Sequence, residues 1–295
     1  MELAMKEITS LKDYYDLIKE TKKRYKISFS NMYCMADEVQ RYINLRRLFF
    51  LELENGIAFV LNEERYYKLC LYADSSVPFC VPRLDKKILM RSIYRENLKN
   101  DSMLGIEKSL IQNGFQKAGT SVQIQGNPSE IIDKKKSIKR CIGIIERNGY
   151  RIVQADSSML EAIENLLEEV PFVHDYHVDF KTAEEKQQNL EQGGYLCVVD
   201  ACGKVCAATV TWVRGRLADG GAIAVGEEFK LLGLAPVICY ERLRLLKEQE
   251  VESLQGWVLL DNEASIRYHK SMGFEFMDRY ADEWILEADN QYMKN

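Results

Sequence analysis

The stretch that most constrains the fold is residues 222–250, where an apolar run, a glycine-containing loop and an amphipathic segment follow one another. Residues 222–225 are small and apolar, which favours a buried strand. The later segment carries apolar side chains at three-residue steps, close to one face of a helix. These are Val237, Tyr240, Leu243 and Leu246. Pro236 suits a first helical turn, where a missing N–H costs little. The order strand, loop, helix is therefore predicted here.

That order can create an anion-binding site. A helix start presents unpaired backbone N–H groups and the positive end of the helix dipole. Gly233, just before the predicted helix, would let a phosphate approach the backbone closely. Many ordinary strand-to-helix turns have the same pattern, so it alone leaves a phosphate site and a plain turn both open.

A family resemblance bears on this choice. Lys230-x-x-Gly233-x-Ala235 resembles the Q/R-x-x-G-x-G/A signature of the GNAT superfamily of N-acetyltransferases. The resemblance implies that this loop binds the pyrophosphate of acetyl-coenzyme A (acetyl-CoA). Lys230 departs from the usual Arg or Gln, and Pro236 removes one possible donor. The cofactor-binding residues that the resemblance implies are Ile223, Val225, Lys230, Leu231, Leu232, Gly233, Leu234, Ala235 and Asn262.

A second segment, residues 262–274, follows at the spacing of the family. It is similar to the family's ending N-x-x-A/S-x-x-x-Y-x-K-x-G-F, with Asn262, Ser265, Gly273 and Phe274 in register. His269 stands where the family usually has Tyr, and Tyr268 comes one place earlier. Asn262 suits the start of a helix and Gly273 its end.

The predicted fold class is α/β (α+β), with a GNAT fold over residues 149–295 in which helices flank a mixed central sheet. Residues 128–148 are predicted to form a connecting helix, although Asn148-Gly149 would also suit a hairpin turn. Residues 1–127 are either a degenerate GNAT-like copy or an unrelated α+β domain. This half has no loop of the required pattern, and residues 84–99 are predicted to be a helix.

Composition excludes several classes of protein. No apolar run reaches membrane-spanning length, and the charged N terminus lacks the apolar core of a signal peptide. Eight cysteines in 295 residues do not make a disulfide scaffold, so a reducing cytoplasm is expected. Residues 1–148 hold 26 Lys and Arg against 19 Asp and Glu, and residues 149–295 hold 14 against 26. The acidic half favours a cationic acceptor. The basic charges are too scattered to predict nucleic-acid binding.

Acyl transfer to an amine needs a group that removes a proton and one that protonates the leaving thiolate. The resemblance places His269 at the position of the acid, with Tyr268 as the second candidate. Both side chains would equally suit a structural role on the helix. Asp219 lies eleven residues before Lys230, where in some family members a carboxylate removes the proton from the amine. Asp219 also suits a turn.

His174 and His177 form one short cluster without further ligands at metal spacing, so no metal is expected. The sequence thus predicts a cytoplasmic N-acetyltransferase that uses acetyl-CoA and a small-molecule or peptide amine, with no membrane or nucleic-acid partner. Two alternatives remain open. One is a tandem-GNAT transferase that uses charged tRNA, and the other is a CoA-binding sensor without turnover.

Overall fold

The computed structural model describes residues 4–95, 101–134, 138–169 and 181–288. The chain forms two compact units. Unit 1 comprises Met1–Thr120 and Arg279–Asn295, and unit 2 comprises Ser121–Asp278. The last strand of the chain therefore ends in unit 1, a return that the sequence-based boundaries do not include.

Unit 1 is built on a sheet with the strand order β1-β3-β4-β5-β6, to which β2 is attached at β5. The end of β13 pairs with β6 antiparallel. Its elements are β1 (Lys6–Glu7), α1 (Leu11–Arg24), β2 (Phe29–Ser30), α2 (Ala36–Asn44), β3 (Leu48–Leu53), β4 (Gly56–Asn62), β5 (Tyr66–Ala73), β6 (Lys87–Tyr94), α3 (Asp101–Gln112) and the first half of β7 (Gln116–Gly126).

Both faces of this sheet are covered by helices. On one face, Tyr14 of α1 and Val39 of α2 pack into a buried cluster with Phe59 of β4. On the other face, Ile106 of α3 packs into a cluster with Val60, the next residue of β4. Successive residues of a strand point to opposite faces, so β4 is apolar along most of its length because both of its faces are buried.

The helix predicted over residues 84–99 is not formed in residues 84–95, the part of it that the structure describes. Residues 87–94 are strand β6, which pairs parallel with β5 and antiparallel with β13. The apolar run at residues 88–90 suits a buried strand as well as a buried helix. The strand is selected because a partner arrives from the end of the chain, which a local pattern does not reveal.

Unit 2 has the strand order β7-β12-β11-β10-β9-β8. Its strands pair antiparallel, except that β11 and β12 are parallel. Its elements after β7 are α4 (Pro128–Lys134), α5 (Ile138–Arg147), β8 (Arg151–Gln154), α6 (Leu160–Glu168), α7 (Ala183–Glu191), β9 (Tyr195–Val199), β10 (Val205–Arg214), β11 (Leu217–Val225), α8 (Leu234–Glu248), β12 (Ser253–Leu259), α9 (Glu263–Met272) and the start of β13 (Glu275–Leu286).

Helices also cover both faces of the unit 2 sheet. Leu243 of α8 packs with Ala218 and Leu254 of the sheet, in a cluster that α4 and α9 join. Ile163 of α6 packs with Ala224 on the opposite face, in a cluster that α7 joins. Helices α4 and α5 occupy the range of the predicted connecting helix, and both lie within unit 2, with residues 135–137 outside the described range. Within the described ranges, no helix is both long and apolar enough to cross a membrane.

Candidate active site

The parallel strands β11 and β12 separate after a short paired stretch. They pair only at Leu217 with Ser253, Ala218 with Leu254 and Asp219 with Gln255. The register between β10 and β11 shifts after Gly220, which marks a bulge that would bend β11. We call the gap between residues 220–225 and residues 256–259 the wedge of unit 2. None of the described strands lies in it.

The loop after β11 leads from this wedge to the N terminus of α8. It begins with a 3-10 turn, Glu227–Phe229. Leu231 and Gly233 then adopt the left-handed conformation, with φ of 69° and 76°. No side chain caps α8 at Gly233, and a Cβ added there would meet no atom within 4 Å. The backbone at Gly233, just before α8, therefore faces open space, as an anion site requires.

The charges beside this loop are paired. Lys230 bonds to Glu227, and Lys204 bonds to Glu228. The two lysines offset the two carboxylates, which would otherwise repel a phosphate. The positive end of the α8 dipole thus remains as a source of attraction for an anion.

The side chains of the predicted cofactor-binding residues differ in how far they are exposed to solvent. Leu231 is fully exposed and Leu232 is 47% exposed, whereas Leu234 is buried in the core under the loop. The side chains of Ile223 and Val225 also pack into that core. Ile223, Val225 and Leu234 could therefore serve a ligand only through their backbone groups.

Helix α9 lies against the start of α8. Asn262 caps α9, accepting a hydrogen bond from the backbone N–H of Ser265 at 2.9 Å, and Gly273 ends it with φ of 96°. The Tyr268 hydroxyl donates to the carbonyl of Ala235 at 3.2 Å. The structure thus brings the two predicted segments together, and Tyr268 fixes the distance between them.

His269 is held by its own helix. Its Nδ1 lies 2.8 Å from the carbonyl oxygen of Ser265, and its ring packs edge-on against Phe274. Burial lowers the pKa of His269, although the Ser265 carbonyl acts in the opposite direction. A carbonyl accepts, so Nδ1 carries the proton and Nε2 keeps its lone pair. Burial raises the pKa of Tyr268 well above its usual value. His269 is thus neutral at neutral pH, and Tyr268 stays protonated.

Asp219 lies on the other face of the sheet from these two residues. Its neighbour Ala218 packs toward α8, so alternation along β11 turns Asp219 toward the face of α6 and α7. Its side chain is 50% exposed, and its Oδ2 lies 3.9 Å from Nε of Arg214. Asp219 is therefore not beside His269.

Arg242 of α8 is a site-supporting residue that sequence reasoning missed. It is 3% exposed and donates one hydrogen bond to the carbonyl of Gly193 and one to that of Gly194, both at 2.8 Å. Burial lowers the pKa of Arg242 to about 10, so it stays charged at neutral pH. It ties the helix that follows the loop to the start of β9. In the sequence, Arg242 stands between the apolar positions Tyr240 and Leu243, and this pattern could have indicated a buried arginine.

The two histidines considered for metal binding, His174 and His177, lie outside the described residues. In the part of the chain that the structure describes, no three His, Cys, Asp or Glu side chains are grouped as metal ligands.

Unit 1 contains the same strand geometry, but its wedge is filled. Strands β5 and β6 are parallel and pair at only three positions, Tyr66 with Lys87 through Lys68 with Leu89. In the gap beyond, β2 pairs antiparallel with β5, with Phe29 opposite Ala73. We call residues 28–33 the plug of unit 1.

Side chains of the plug bond to both strands of the gap. The Asn31 amide donates to the carbonyl of Leu69 on β5 at 3.2 Å and to that of Arg91 on β6 at 2.8 Å. The Tyr33 hydroxyl donates to the carbonyl of Ile93 at 3.2 Å and accepts from its N–H at 3.0 Å. These four backbone groups at the gap thus find their partners within the chain itself.

The segment between β5 and β6, which is described throughout, contains no counterpart of α8. Residues 74–86 follow β5 without a helix. They run directly over α3, where a Cβ on Gly105 would lie 2.2 Å from the carbonyl oxygen of Ser75. A loop therefore lies against α3 in the way that α8 lies against α9 in unit 2.

No protein-family model matches this sequence, and no curated protein sequence matches it. Solved structures do match. A tandem GNAT protein from the clavulanic acid biosynthesis pathway has a TM-score of 0.50 at 12% identity, covering 98% of this chain and 99% of that chain. A GCN5-related N-acetyltransferase from Sphaerobacter thermophilus has a TM-score of 0.55 at 12% identity, covering 97% and 95%. One from Kribbella flavida has a TM-score of 0.52 at 11% identity, covering 88% and 99%.

Identities this low establish the fold alone. They confirm the α/β fold class and the GNAT resemblance that the two motifs predicted, and they extend it over nearly the whole chain. The chain has the fold of the GNAT acetyltransferases in its tandem form.

Proposed function

We propose that unit 2 binds an acyl-CoA, with acetyl-CoA as the expected donor, and transfers the acyl group to a primary amine. The observation that carries this proposal is the contrast between the two wedges. The wedge of unit 1 is filled by residues 28–33, whereas that of unit 2 contains no described strand and leads to the uncapped start of α8. A ligand in the wedge of unit 2 would supply the partners that the plug supplies in unit 1.

The pantetheine arm of CoA is an extended chain with two amides, so it can pair with β11 much as β2 pairs with β5. Its pyrophosphate would then meet the backbone N–H groups of residues 231–235 at the start of α8. Lys230 would keep Glu227 from repelling the phosphates. Backbone N–H groups of residues 223–225 are our candidates for polarising the thioester carbonyl.

The reaction moves protons in a fixed balance. The acceptor ammonium loses one proton before its nitrogen bonds to the acyl carbon, and the nitrogen loses a second proton as the carbon–sulfur bond breaks. The thiolate takes up one of these protons, and the other is released to solvent. We assign protonation of the thiolate to His269. Its neutral ring would first receive a proton released by the amine and then give one to the thiolate. Tyr268 is the second candidate for this acid, and Asp219 is our candidate for aligning or deprotonating the ammonium.

The direct test is release of free thiol from acetyl-CoA in the presence of a panel of amines, amino acids and aminoglycosides. We expect release that depends on one class of acceptor, with kcat lowered about 10²-fold in His269→Gln. Tyr268→Phe is the matched comparison and should have the smaller effect on kcat. If CoA binds but no acceptor gives release, the chain is a CoA-binding module instead. We expect the enzyme to act in the cytoplasm, where its free cysteines would stay reduced.

A further inference from the structure

Four polar or aromatic side chains form a straight row across the unit 2 sheet. Trp212 of β10 is opposite Asp219 of β11, and Asp219 is in register with Gln255 of β12. Gln255 is in turn opposite Gln125 of β7. Residues in register across a sheet share one face. The row crosses the sheet at the last paired position before β11 and β12 separate.

This row lies on the face opposite α8. The strand neighbours Ala218, Leu254 and Ile124 all pack into the core under α8, so the alternate positions point away from it. Lys181, next to the capping residue of α7, confirms the direction, because its ammonium lies 5.0 Å from the centre of the Trp212 ring. The four side chains therefore lie at the closed end of the wedge, where β11 and β12 last pair, on the side of α6 and α7.

The row has two chemical parts. Asp219 and Trp212 suit a cation, since a carboxylate and an indole face both attract an ammonium. Lys181 already uses the indole in this way. Gln255 accepts a hydrogen bond from Gln123 through its oxygen at 3.2 Å, a bond that leaves its amide N–H groups as donors. Gln125, next in the row, carries a second amide group that can donate and accept.

We propose that this row is the floor of the acceptor site and that it selects an amine carried on a hydroxylated frame. Asp219 holds the ammonium, Trp212 packs beside the frame, and Gln255 and Gln125 bind hydroxyl groups of the frame. An apolar amine would cover the two amides without giving them partners, which disfavours it. The inference rests on the proposed function, because the row serves an acceptor only if an acyl donor occupies the wedge.

The test uses the full chain saturated with CoA and three ring-shaped probes of similar size. They are glucosamine, cyclohexylamine, which lacks the hydroxyls, and glucose, which lacks the amine. Binding is measured by calorimetry. We expect glucosamine to bind at least about tenfold more tightly than either of the others. Asp219→Asn should remove its advantage over glucose, and Gln255→Leu its advantage over cyclohexylamine. Glu252→Gln is the control, because it changes the charge equally in an exposed ion pair with Arg216, outside the row.

Three results would overturn the inference. The first is equal affinity for glucosamine and cyclohexylamine, and the second is equal affinity for glucosamine and glucose. The third is an unchanged preference in both row variants. Binding of CoA to the wild-type chain is measured first, because it distinguishes a failure of the proposed function from a failure of the proposed acceptor site. Failure to bind CoA rejects the proposed function, whereas CoA binding without a preference among the probes rejects the row alone.

Discussion

Gly233 and Gly215 provide a matched pair at the residue scale. Both have positive φ, 76° and 62°, and a Cβ added to either would meet no protein atom within 4 Å. An alanine at either position should therefore cost similar stability, about 1 kcal/mol for a left-handed residue. Only Gly233 lies at the start of α8, where we expect the pyrophosphate.

We predict that Gly233→Ala weakens CoA binding at least about tenfold, because the methyl group fills the space that the phosphate needs. Gly215→Ala should bind CoA as the wild type does. Both dissociation constants can be measured by calorimetry, with thermal melts to show that the two variants are equally stable. Equal CoA affinity in both variants would mean that the loop is an ordinary strand-to-helix turn.

His269 makes the stability of unit 2 depend on pH. Its pKa is lowered in the folded state from 6.5, so the unfolded chain binds the proton more readily. The stability that the neutral ring contributes is present above pH 6.5 and is lost as the pH falls below it. We predict that, between about pH 7.5 and about pH 5.5, Tm falls more in the wild type than in His269→Gln. If Tm changed with pH in the same way in the wild type and in His269→Gln, the His269 ring would have the same pKa in the folded and the unfolded chain, which would contradict this prediction.

At this scale, the sequence predicts residues whose chemistry is local. Asn262 and Gly273 are recognisable because the start and the end of a helix each need particular residues nearby. Arg242 and Asn31 were missed because their partners are remote. Arg242 bonds to carbonyls 48 and 49 residues away, and Asn31 bonds to one 60 residues away.

At the scale of elements, the plug of unit 1 holds β5 and β6 apart. Asn31 is 2% exposed, and its amide oxygen also accepts a hydrogen bond from the N–H of Leu71. Removing this side chain leaves several buried backbone groups without partners. We predict that Asn31→Ala destabilises the chain by about 2–4 kcal/mol.

Asn44→Ala is the control for this variant, since Asn44 is exposed at the end of α2. It should change the midpoint of urea denaturation little. If the two variants had the same midpoint, the plug would be a loosely attached segment rather than a structural strand.

The elements also show where a sequence pattern stops being informative. The hairpin β3–β4 follows from Asn55-Gly56 between apolar runs, and β9–β11 follow from regular runs and turns. Strand β6 was mistaken for a helix because its partner β13 comes from the last part of the chain. The wedges are equally hidden, since a pattern of apolar residues does not state where two parallel strands stop pairing.

At the scale of the whole molecule, the chain contains two copies of one architecture with different contents. Each unit has a parallel strand pair that separates after three positions. One wedge holds residues 28–33 and is followed by a loop, whereas the other is followed by a left-handed turn and a helix. The sequence indicated this inequality through the loop pattern alone, and the plug supplies its physical reason.

The most direct test of the account is a calorimetric titration of the full chain with acetyl-CoA. We predict one molecule bound per chain, and none in Gly233→Val, because among the described residues only unit 2 combines a wedge without a strand with the N terminus of α8. Folding of the variant is checked by its thermal melt. Two molecules bound per wild-type chain would show that the plug leaves unit 1 open. No binding, or full binding in a folded Gly233→Val, would contradict the account.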